Sequence, residues 1–390
     1  MVRKKMNLTL GLGSGDLESN TSTSEIVNDS SENNEYVSHG GTFHGGEFHI
    51  TGEGITTSKH QRANKLGTEL KQNLVVNYDN PLGAGASGVV YLAIDKRDNS
   101  KIALKEISVF DEGRRKQILK ELEAMYDSNH NHLVSFHGAF YSEGSISIAM
   151  EYMDVGAITD IMEVCGKIPE TILSVITEQV LQGFYYLHKK RHLIHRDVKP
   201  NNILMNSKGE FKITDFGVSS ELEDSKADCG TFVGTVMYMS PERLGGEKYS
   251  YESDIWSFGL TIMELATGRF PYNDDDDDNS EKKNKIRQYG FWELLTLINK
   301  NDPQLNPKEF SKEICNFISI CLNKDRTKRP TAEFLLSHPF VTRARNYSKE
   351  YQQWVSIVTP MVQKLNAKKI SENPEATSDL IAEALNGFTI

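Results

Sequence analysis

The chain has 390 residues, of which 38% are apolar and 25% charged, and its formal net charge at pH 7 is −10. This length allows one large domain or two moderate ones, and the composition is that of a soluble globular protein. The acidic excess argues against nucleic acid as the main partner, because there is no surplus of cations to displace counterions. The sequence contains no run of about 18 apolar residues, so it predicts no membrane-spanning helix. Four cysteines without a CxxC pair indicate reduced thiols, so we expect a cytoplasmic protein, with the nucleus as the alternative.

The first 12 residues combine a basic cluster with two leucines. Arg3, Lys4 and Lys5 precede Leu8 and Leu10 in the sequence RKKMNLTL. In an extended peptide the two leucines lie on one side, where a hydrophobic groove can receive them, while the cations face an acidic patch. A basic N-terminus without a binding role is the alternative.

Residues 13–75 are expected to be a mostly disordered extension. Residues 13–35 are rich in Ser, Asn, Thr, Asp and Glu, and such a composition cannot bury enough apolar surface to order itself. Residues 41–58, GTFHGGEFHITGEGITTS, alternate polar and apolar residues with glycines at turn positions, which predicts a small hairpin.

Glycines open the part of the chain that is dense in strand and helix signals. Gly83, Gly85 and Gly88 have GxGxxG spacing. A dinucleotide-binding fingerprint would open a helix next, but VVYLAIDKRDNSKIALKEI follows, and its β-branched residues predict a hairpin and another strand. The glycines therefore indicate a strand–turn–strand whose backbone can approach phosphates, with an ordinary glycine-rich hairpin as the alternative.

A lysine and a glutamate follow at positions typical of phosphate binding. Lys105 ends the apolar strand segment IALK, where a lysine is costly unless it meets anions. Sixteen residues later, KQILKELEAM has a helical pattern that places Glu121 on one face with Ile118, Leu122 and Met125. A strand lysine held by a helix glutamate fits the pair that positions ATP phosphates in protein kinases.

Two polar motifs carry the residue types that phosphoryl transfer needs. HLIHRDVKPNNILM contains Asp197, Lys199 and Asn202, and KITDFGVSS contains Asp215. Asp197 fits the carboxylate that orients and accepts the proton of the attacking hydroxyl, and Lys199 fits the cation near the transferred phosphoryl group. Asn202 and Asp215 are hard oxygen donors suited to Mg²⁺. A chance polar loop would have to produce both motifs together.

The last third of the chain contains an insertion and a tail. Residues 273–285, NDDDDDNSEKKNK, include five consecutive aspartates that would repel one another in a compact structure, so we expect a solvated loop. The tail, 343–390, has an apolar helical stripe of Tyr351, Trp354 and Val358, and we expect Pro360 to end that helix.

These motifs together resemble a eukaryotic protein kinase domain over residues 76–342. The resemblance implies a bilobal α+β fold, with a small β-rich lobe at 76–151 and a large helical lobe at 152–342, and it implies ATP and Mg²⁺ as cofactors. The segments SPE, SDIWSFG and DRTKRPT extend the match. By that resemblance Glu242 and Arg329 form a buried ion pair, and Asp254 braces the catalytic loop.

The resemblance also implies the residues of the nucleotide site. Met150 would be the gatekeeper, and Glu151 and Met153 would present backbone groups to adenine. The expected ATP-binding residues are Leu82, Gly83, Ala84, Gly85, Ala86, Ser87, Gly88, Val90, Ala103, Lys105, Glu121, Met150, Glu151, Met153 and Leu204. Ordinary core packing is the alternative role for the apolar members of this set.

Longer segments narrow the resemblance to the MAP kinase kinases. GAFYSEGSISIAMEYMD, FVGTVMYMSPERL and YSYESDIWSFGLTIMELATGRFPY are similar to that family. It implies dual-specificity phosphorylation of Thr and Tyr in the Thr-x-Tyr loop of a MAP kinase substrate, an upstream MAP kinase kinase kinase, and docking of the substrate by residues 1–12.

The same resemblance assigns activating phosphorylation sites to Ser225 and Thr231. Five residues separate them, a spacing similar to the plant-type branch of the family. A phosphate adds about −1.5 to −2 charge and three strong acceptors, and Arg196 is the natural partner to order the segment. Two solvated loop hydroxyls are the alternative.

Two other functions compete with this interpretation. A Ste20-like kinase or a MAP kinase kinase kinase would share the catalytic motifs, but the docking peptide and the FVGT and SPERL segments argue against it. A noncatalytic pseudokinase scaffold would share the fold, but the intact Lys105, Glu121, Asp197, Asn202 and Asp215 argue against that.

Overall fold

The computed structural model describes residues 36–37, 42–45, 48–52, 54–57, 70–85, 88–109, 112–216, 236–272 and 291–372. Several predicted features lie outside these residues: the docking peptide 1–12, the polar segment 13–35, the acidic loop 273–285 and the phosphorylation sites Ser225 and Thr231. The described residues fall into a β-rich part, up to Glu151, and a mainly helical part after it.

A small antiparallel sheet precedes the predicted kinase domain. Its strands are β1 (Tyr36–Val37), β2 (Phe43–Gly45), β3 (Phe48–Ile50) and β4 (Ile55–Thr57), paired in chain order. Alternation along β3 buries Phe48 and Ile50 and exposes His49, so one face of the sheet joins the core. The sequence predicted a small hairpin at 41–58, and that segment contains three of the four strands, with β1 before it.

The β-rich lobe is built on a five-stranded antiparallel sheet. After a helical turn, α1 (Leu70–Asn73), the strands are β5 (Leu74–Gly85), β6 (Gly88–Asp95), β7 (Lys101–Ser108), β8 (Phe136–Ser142) and β9 (Ser145–Glu151), in the order β5-β6-β7-β9-β8. Helix α2 (Glu112–Tyr126) packs against this lobe through the predicted apolar face of Ile118, Leu122 and Met125, which are all buried. That packing fixes the position of Glu121 on the same face.

The helical lobe encloses most of the core. Its helices are α3 (Ile158–Cys165), α4 (Glu170–Tyr185), α5 (Pro241–Leu244), α6 (Tyr251–Thr267), α7 (Phe291–Lys300), α8 (Lys312–Cys321), α9 (Ala332–Leu335), α10 (Pro339–Thr342) and α11 (Ser348–Glu372). Helix α6 is buried along most of its length, with Trp256, Phe258 and Leu260 fully buried and with polar residues such as Asp254 buried beside them. A three-stranded sheet, β10 (Gly156–Ala157), β11 (Ile203–Met205) and β12 (Phe211–Ile213), lies next to the catalytic motifs.

The predicted ion pair between Glu242 and Arg329 is present and buried. Two parallel hydrogen bonds of 2.7 Å join the guanidinium to the carboxylate, and the guanidinium also lies 5.0 Å from the ring centroid of Trp256. Burial would raise the pKa of Glu242, but the hydrogen bonds from Arg329 hold it below its usual value. Removing one partner would leave an uncompensated charge in the core.

The tail helix contradicts one prediction. Pro360 lies inside α11, which continues to Glu372, and does not end it. Tyr351, Val355, Val358 and Val362 are buried at spacings of three and four residues, so the helix buries an apolar stripe on both sides of the proline. That packing outweighs the loss of one backbone hydrogen bond at Pro360.

Within the parts of the chain that the structure describes, no helix is both long and apolar enough to cross a membrane.

Candidate functional site

Lys105 lies between two carboxylates that come from different parts of the fold. Its Nζ is 2.7 Å from Oε1 of Glu121 on α2 and 3.0 Å from Oδ1 of Asp215, which follows β12. Lys105 and Glu121 are almost fully buried. The sequence predicted the Glu121 contact and a Mg²⁺-binding role for Asp215, and the structure brings all three residues together at the junction of the two lobes.

The pKa directions in this cluster follow from burial and from the charges around it. Burial would lower the pKa of Lys105, but Asp215 and Glu121 raise it above its usual value, so the ammonium form is favoured. Burial would raise the pKa of Asp215, but Lys105 holds it below the usual value. Burial raises the pKa of Glu121, and Lys105 offsets this only in part. The cluster therefore keeps Lys105 charged and Asp215 ionised at the junction of the two lobes.

The loop that holds the catalytic motif adopts an unusual backbone conformation and is braced by Asp254. Arg196 in this loop has a positive φ angle of 72°, and Asp215, which follows β12, has one of 57°. This conformation costs about 1–3 kcal/mol for residues with side chains. Asp254 accepts hydrogen bonds from the backbone N–H groups of His195 at 2.8 Å and Arg196 at 2.9 Å. Its Oδ2 also lies 2.8 Å from Nε2 of His188. Asp254 thus has the bracing contacts that the sequence predicted.

The predicted base, Asp197, is held by the two polar residues that follow it. Lys199 Nζ is 2.9 Å from Asp197 Oδ2, and Asn202 Nδ2 donates to the same oxygen at 2.9 Å and to the Asp197 carbonyl at 2.8 Å. Both side-chain contacts fall on Oδ2, so Oδ1 is the oxygen that a substrate hydroxyl would approach. About a quarter of the Asp197 side chain is exposed, which keeps it accessible from the cleft.

Asn202 and Asp215 form a donor set that fits a hard divalent cation. Because Asn202 uses its amide nitrogen on Asp197, its amide oxygen is the atom that remains for a ligand. Asp215 adds an ionised carboxylate. Amide and carboxylate oxygens are the ligands that Mg²⁺ prefers. His195 Nε2, 2.9 Å from the Thr214 carbonyl, ties the two motifs together.

Most of the predicted nucleotide-binding residues lie in the β-rich lobe, and Met153 and Leu204 lie in the part that follows it. Val90 pairs with Lys105, and Ala103 pairs with Met150. Val90, Ala103 and Leu204 are half-buried, whereas Met150 and Met153 are only 5% exposed. Gly83, Ala84 and Gly85 end β5, with Leu82 exposed before them. Ala86 and Ser87 lie outside the described residues.

Gly88 is the position at which the turn requires glycine. Its φ is +124°, and a Cβ there would lie 2.3 Å from the carbonyl oxygen of Glu106. Any larger residue would separate β6 from β7, the strand that carries Lys105.

One contact at the hinge, the segment 151–153 between the two lobes, was not predicted from the sequence. Lys212 on β12 donates to both carboxylate oxygens of Glu151 at 2.7 and 2.9 Å, and the backbone N–H of Ser135 donates to Glu151 Oε2 at 3.2 Å. This pair joins the end of β9 to the strand that leads into Asp215. Lys212 is the only charged residue in an otherwise apolar strand, FKI, and this is the signal that could have revealed the contact.

Arg196, the predicted partner of the activating phosphates, lies 5.8 Å from the ring centroid of Tyr249, and Arg243 lies 3.8 Å from the same centroid. Ser225 and Thr231 are outside the described residues, so their contact with Arg196 stays a prediction, as does docking by Arg3, Lys4, Lys5, Leu8 and Leu10.

Comparison with known proteins identifies the family. The family model described as a protein kinase domain matches residues 76–341. Mitogen-activated protein kinase kinase 3 of Arabidopsis thaliana is 47% identical over 289 residues, covering 73% of this chain and 53% of that protein. Dual specificity mitogen-activated protein kinase kinase 1 of Dictyostelium discoideum is 36% identical, covering 86% of this chain and 61% of that protein. Mitogen-activated protein kinase kinase 1 of Arabidopsis thaliana is 40% identical, covering 78% of this chain and 86% of that protein.

The chain belongs to the MAP kinase kinase family. The β-rich and helical parts are therefore the two lobes of the protein kinase fold, as the sequence predicted. The chain spans about half the length of the Arabidopsis MAP kinase kinase 3 and about three fifths of the Dictyostelium protein. Sheet β1–β4 and helix α11 both lie outside the residues that the kinase family model matches.

Proposed function

We propose that this protein is an active MAP kinase kinase that transfers the γ-phosphoryl group of ATP to Thr and Tyr in the Thr-x-Tyr loop of a MAP kinase. The observation that carries the proposal is the position of Lys105, whose Nζ contacts both Glu121 and Asp215. This arrangement connects α2 to the segment after β12, and kinases require it for transfer. A scaffold with no catalytic role would not need three ionisable groups at the lobe junction.

In this proposal each polar residue has a defined task. Lys105 binds the α- and β-phosphates, and Glu121 holds its ammonium in place. Asp197 orients the attacking hydroxyl through Oδ1 and accepts its proton, while Lys199 and Asn202 keep Oδ2 occupied. Lys199 also compensates charge on the transferred group. The backbone of Glu151 and Met153 binds adenine between Val90, Ala103 and Leu204.

Magnesium is the cation that we assign to Asn202 and Asp215. When bound, Mg²⁺ would neutralise charge on the phosphates. The chain's contribution is to hold the two oxygen ligands still, which it does through the Asn202–Asp197 and Asp215–Lys105 hydrogen bonds.

The partners and the switch are part of the same proposal. An upstream MAP kinase kinase kinase would phosphorylate Ser225 and Thr231, and the phosphates would bind Arg196. Residues 3–10 would dock the MAP kinase substrate. We place this cascade in the cytoplasm, with the nucleus as a second compartment.

The test compares the wild-type chain with three variants, each given ATP, Mg²⁺ and a panel of catalytically inactive MAP kinases, with phosphosites mapped by mass spectrometry. Ser225→Glu/Thr231→Glu tests the switch. Lys105→Met should reduce transfer by at least about 100-fold, since it removes a charge that acts on the phosphates. Lys101→Met is the matched control, because Lys101 is an exposed lysine on the same strand, and it should retain activity.

Each outcome separates one part of the proposal from the rest. Phosphorylation of both Thr and Tyr, stronger with the double glutamate variant, would support enzyme, substrate and switch together. Phosphorylation of other proteins, but not of any MAP kinase, would indicate a different serine/threonine kinase. No transfer after treatment with an upstream kinase, or equal activity of Lys105→Met and the wild type, would overturn the catalytic assignment.

A further inference from the structure

Helix α11 reaches the segment that follows the hinge. Asn366 donates a hydrogen bond from Nδ2 to the carbonyl of Val155 at 3.0 Å. One turn earlier, Gln363 donates from Nε2 to the carbonyl of Asp154 at 3.2 Å. These two carbonyls directly follow Met153, in a turn that separates β9 from β10. A helix outside the matched kinase domain therefore binds backbone next to the proposed adenine site.

The turn after Met153 has a glycine, Gly156, at the point where Asn366 approaches its backbone. Gly156 has a φ of +100°, and a Cβ on this residue would lie 3.0 Å from Asn366 Nδ2 and 2.9 Å from Asp160 Oδ2. The missing side chain thus lets both polar groups approach the same backbone. The N–H of Gly156 also closes the turn by donating to the Met153 carbonyl at 3.1 Å.

A third residue of α11, Lys369, forms ion pairs with two acidic residues of α3. Lys369 Nζ lies 3.0 Å from Oδ1 of Asp160 and 2.6 Å from Oε2 of Glu163. The other oxygen of Asp160 accepts a hydrogen bond from the backbone N–H of Ala157 at 3.1 Å. Asn366, Gln363 and Lys369, which we call the C-terminal clasp, therefore contact residues 154–163 at successive points.

The other end of α11 is anchored to the turn between β11 and β12. The Tyr351 hydroxyl donates a hydrogen bond to the Gly209 carbonyl, and the Tyr351 side chain is buried. Strand β11 carries Leu204, and β12 leads to Asp215. Helix α11 thus contacts both the β11–β12 turn, through Tyr351, and the residues that follow the hinge, through Gln363 and Asn366.

We propose that Asn366, assisted by Gln363, is a positioning residue for nucleotide binding. By holding the carbonyls of Val155 and Asp154, the clasp keeps the turn after Met153 in the one orientation that presents the hinge backbone to adenine. This inference rests on the proposed function, in which Glu151 and Met153 bind adenine. In this proposal the clasp acts on the backbone beside the hinge and not on the nucleotide itself, so the effect is on affinity for ATP rather than on the chemical step.

The test measures nucleotide affinity directly in the full chain. Asn366→Leu keeps similar volume and removes the donor. We expect it to raise the Kd for ADP, measured by calorimetry, and the KM for ATP by about three- to tenfold, since one hydrogen bond that orders the hinge is lost. The KM for a MAP kinase substrate and kcat should stay within about twofold of wild type.

Two further variants make the result specific. Ile357→Ser changes an exposed residue of the same helix, 54% accessible, and should leave the Kd for ADP unchanged. Gln363→Leu removes the weaker contact and should raise the Kd by less than Asn366→Leu does. It also serves as the test if Asn366→Leu does not fold, which the unfolding midpoint of the nucleotide-free protein would reveal.

The possible results are distinguishable. If the wild type binds ADP and the folded Asn366→Leu and Gln363→Leu proteins bind it equally well, the clasp does not position the hinge and the inference is overturned. If kcat falls while the KM for ATP is unchanged, the same conclusion holds. If the wild type itself does not bind ADP, the proposed function fails, and the inference that rests on it fails too.

Discussion

The two regions that flank the matched kinase domain attach to it with different shares of apolar packing and side-chain hydrogen bonding. Sheet β1–β4 packs on the β-rich lobe through apolar side chains: Phe48 meets Tyr126 edge to face at 5.7 Å, and Ile50 and Ile55 are buried. Helix α11 also buries an apolar stripe, but it adds side-chain hydrogen bonds to the backbone carbonyls of Asp154, Val155 and Gly209.

Apolar packing and side-chain hydrogen bonds have different consequences: the first mainly stabilises the fold, and the second mainly fixes the orientation of the contacted backbone. Apolar burial is non-directional and scales with area. In the sheet it is supplemented by a backbone hydrogen bond, which the Tyr141 N–H donates to the Thr51 carbonyl at 2.8 Å. A hydrogen bond contributes less to stability, about 1 kcal/mol, but it defines the orientation of the group that it contacts. We therefore expect substitutions in the sheet to change mainly the free energy of unfolding, and substitutions in the clasp to change mainly the geometry beside the hinge.

The largest effect should come from the core of the sheet. Ile50 is fully buried, and Ile50→Ala should lower the free energy of unfolding by about 2–5 kcal/mol, because it loses buried apolar surface and leaves a cavity. Urea denaturation followed by circular dichroism would measure the loss.

Ile50→Val is the matched control, since it removes a single methylene and should cost about 0.5–1.5 kcal/mol. A loss below 0.5 kcal/mol for Ile50→Ala, within the ±0.5 kcal/mol expected of surface substitutions, would mean that the sheet contributes nothing to the cooperative core. The first half of the comparison would then be wrong.

The kinase fold was implied by the family resemblance, whereas the positions of Lys105 and Glu121 also followed from local patterns. The helix that carries Glu121 could be predicted because apolar spacing of 3.6 residues places Ile118, Leu122 and Met125 on the same side. Lys105 could be predicted because a lysine in an apolar strand needs anionic partners. Such signals lie within a few residues of one another, so the sequence carries them directly.

The attachments of the flanking regions could not be predicted in the same way. Asn366 and Val155 are 211 residues apart in the sequence. An asparagine on a partly polar helix gives no local signal that predicts which distant carbonyl it will contact. Pro360 misled the prediction because a local rule against proline was outweighed by tertiary packing of the stripe on both sides of it. Alternation at 41–58 predicted strands there, but strands of two or three residues give too short a pattern to show how many there are.

A smaller effect is expected where α11 begins. Tyr351→Phe removes the hydroxyl that donates to the Gly209 carbonyl but keeps the ring, which stacks on Trp354 with centroids 6.1 Å apart. The free energy of unfolding should fall by about 0.5–1.5 kcal/mol. Tyr347→Phe, at a half-buried position just before α11, is the control and should change it by less than about 0.5 kcal/mol. Equal effects of the two variants would contradict the role of the Tyr351 hydrogen bond.

The smallest effect concerns pH and distinguishes the two kinds of attachment most sharply. Arg343, in the helical turn before α11, pairs with Glu170, which also accepts a hydrogen bond from the Ser311 backbone N–H at 3.0 Å. Burial would raise the pKa of Glu170, but the hydrogen bonds from Arg343 and Ser311 bring it below its usual value of 4.5. Because the folded-state pKa is the lower one, the pair stabilises the fold above about pH 4.5, and this contribution is lost as the pH falls through the folded-state pKa.

Glu170→Gln and Arg343→Gln should therefore both lie below the wild type at pH 7 in free energy of unfolding and approach it as the pH falls below about 4.5. Ile50→Ala should lie below the wild type by a constant amount over the same range, because no ionisable group is changed. Urea denaturation at several pH values between about 3 and 7 would measure all three differences. Parallel curves for wild type and Glu170→Gln would show that the ion pair does not titrate with folding, and the attachment at Arg343 would then be maintained by packing, as it is in the sheet.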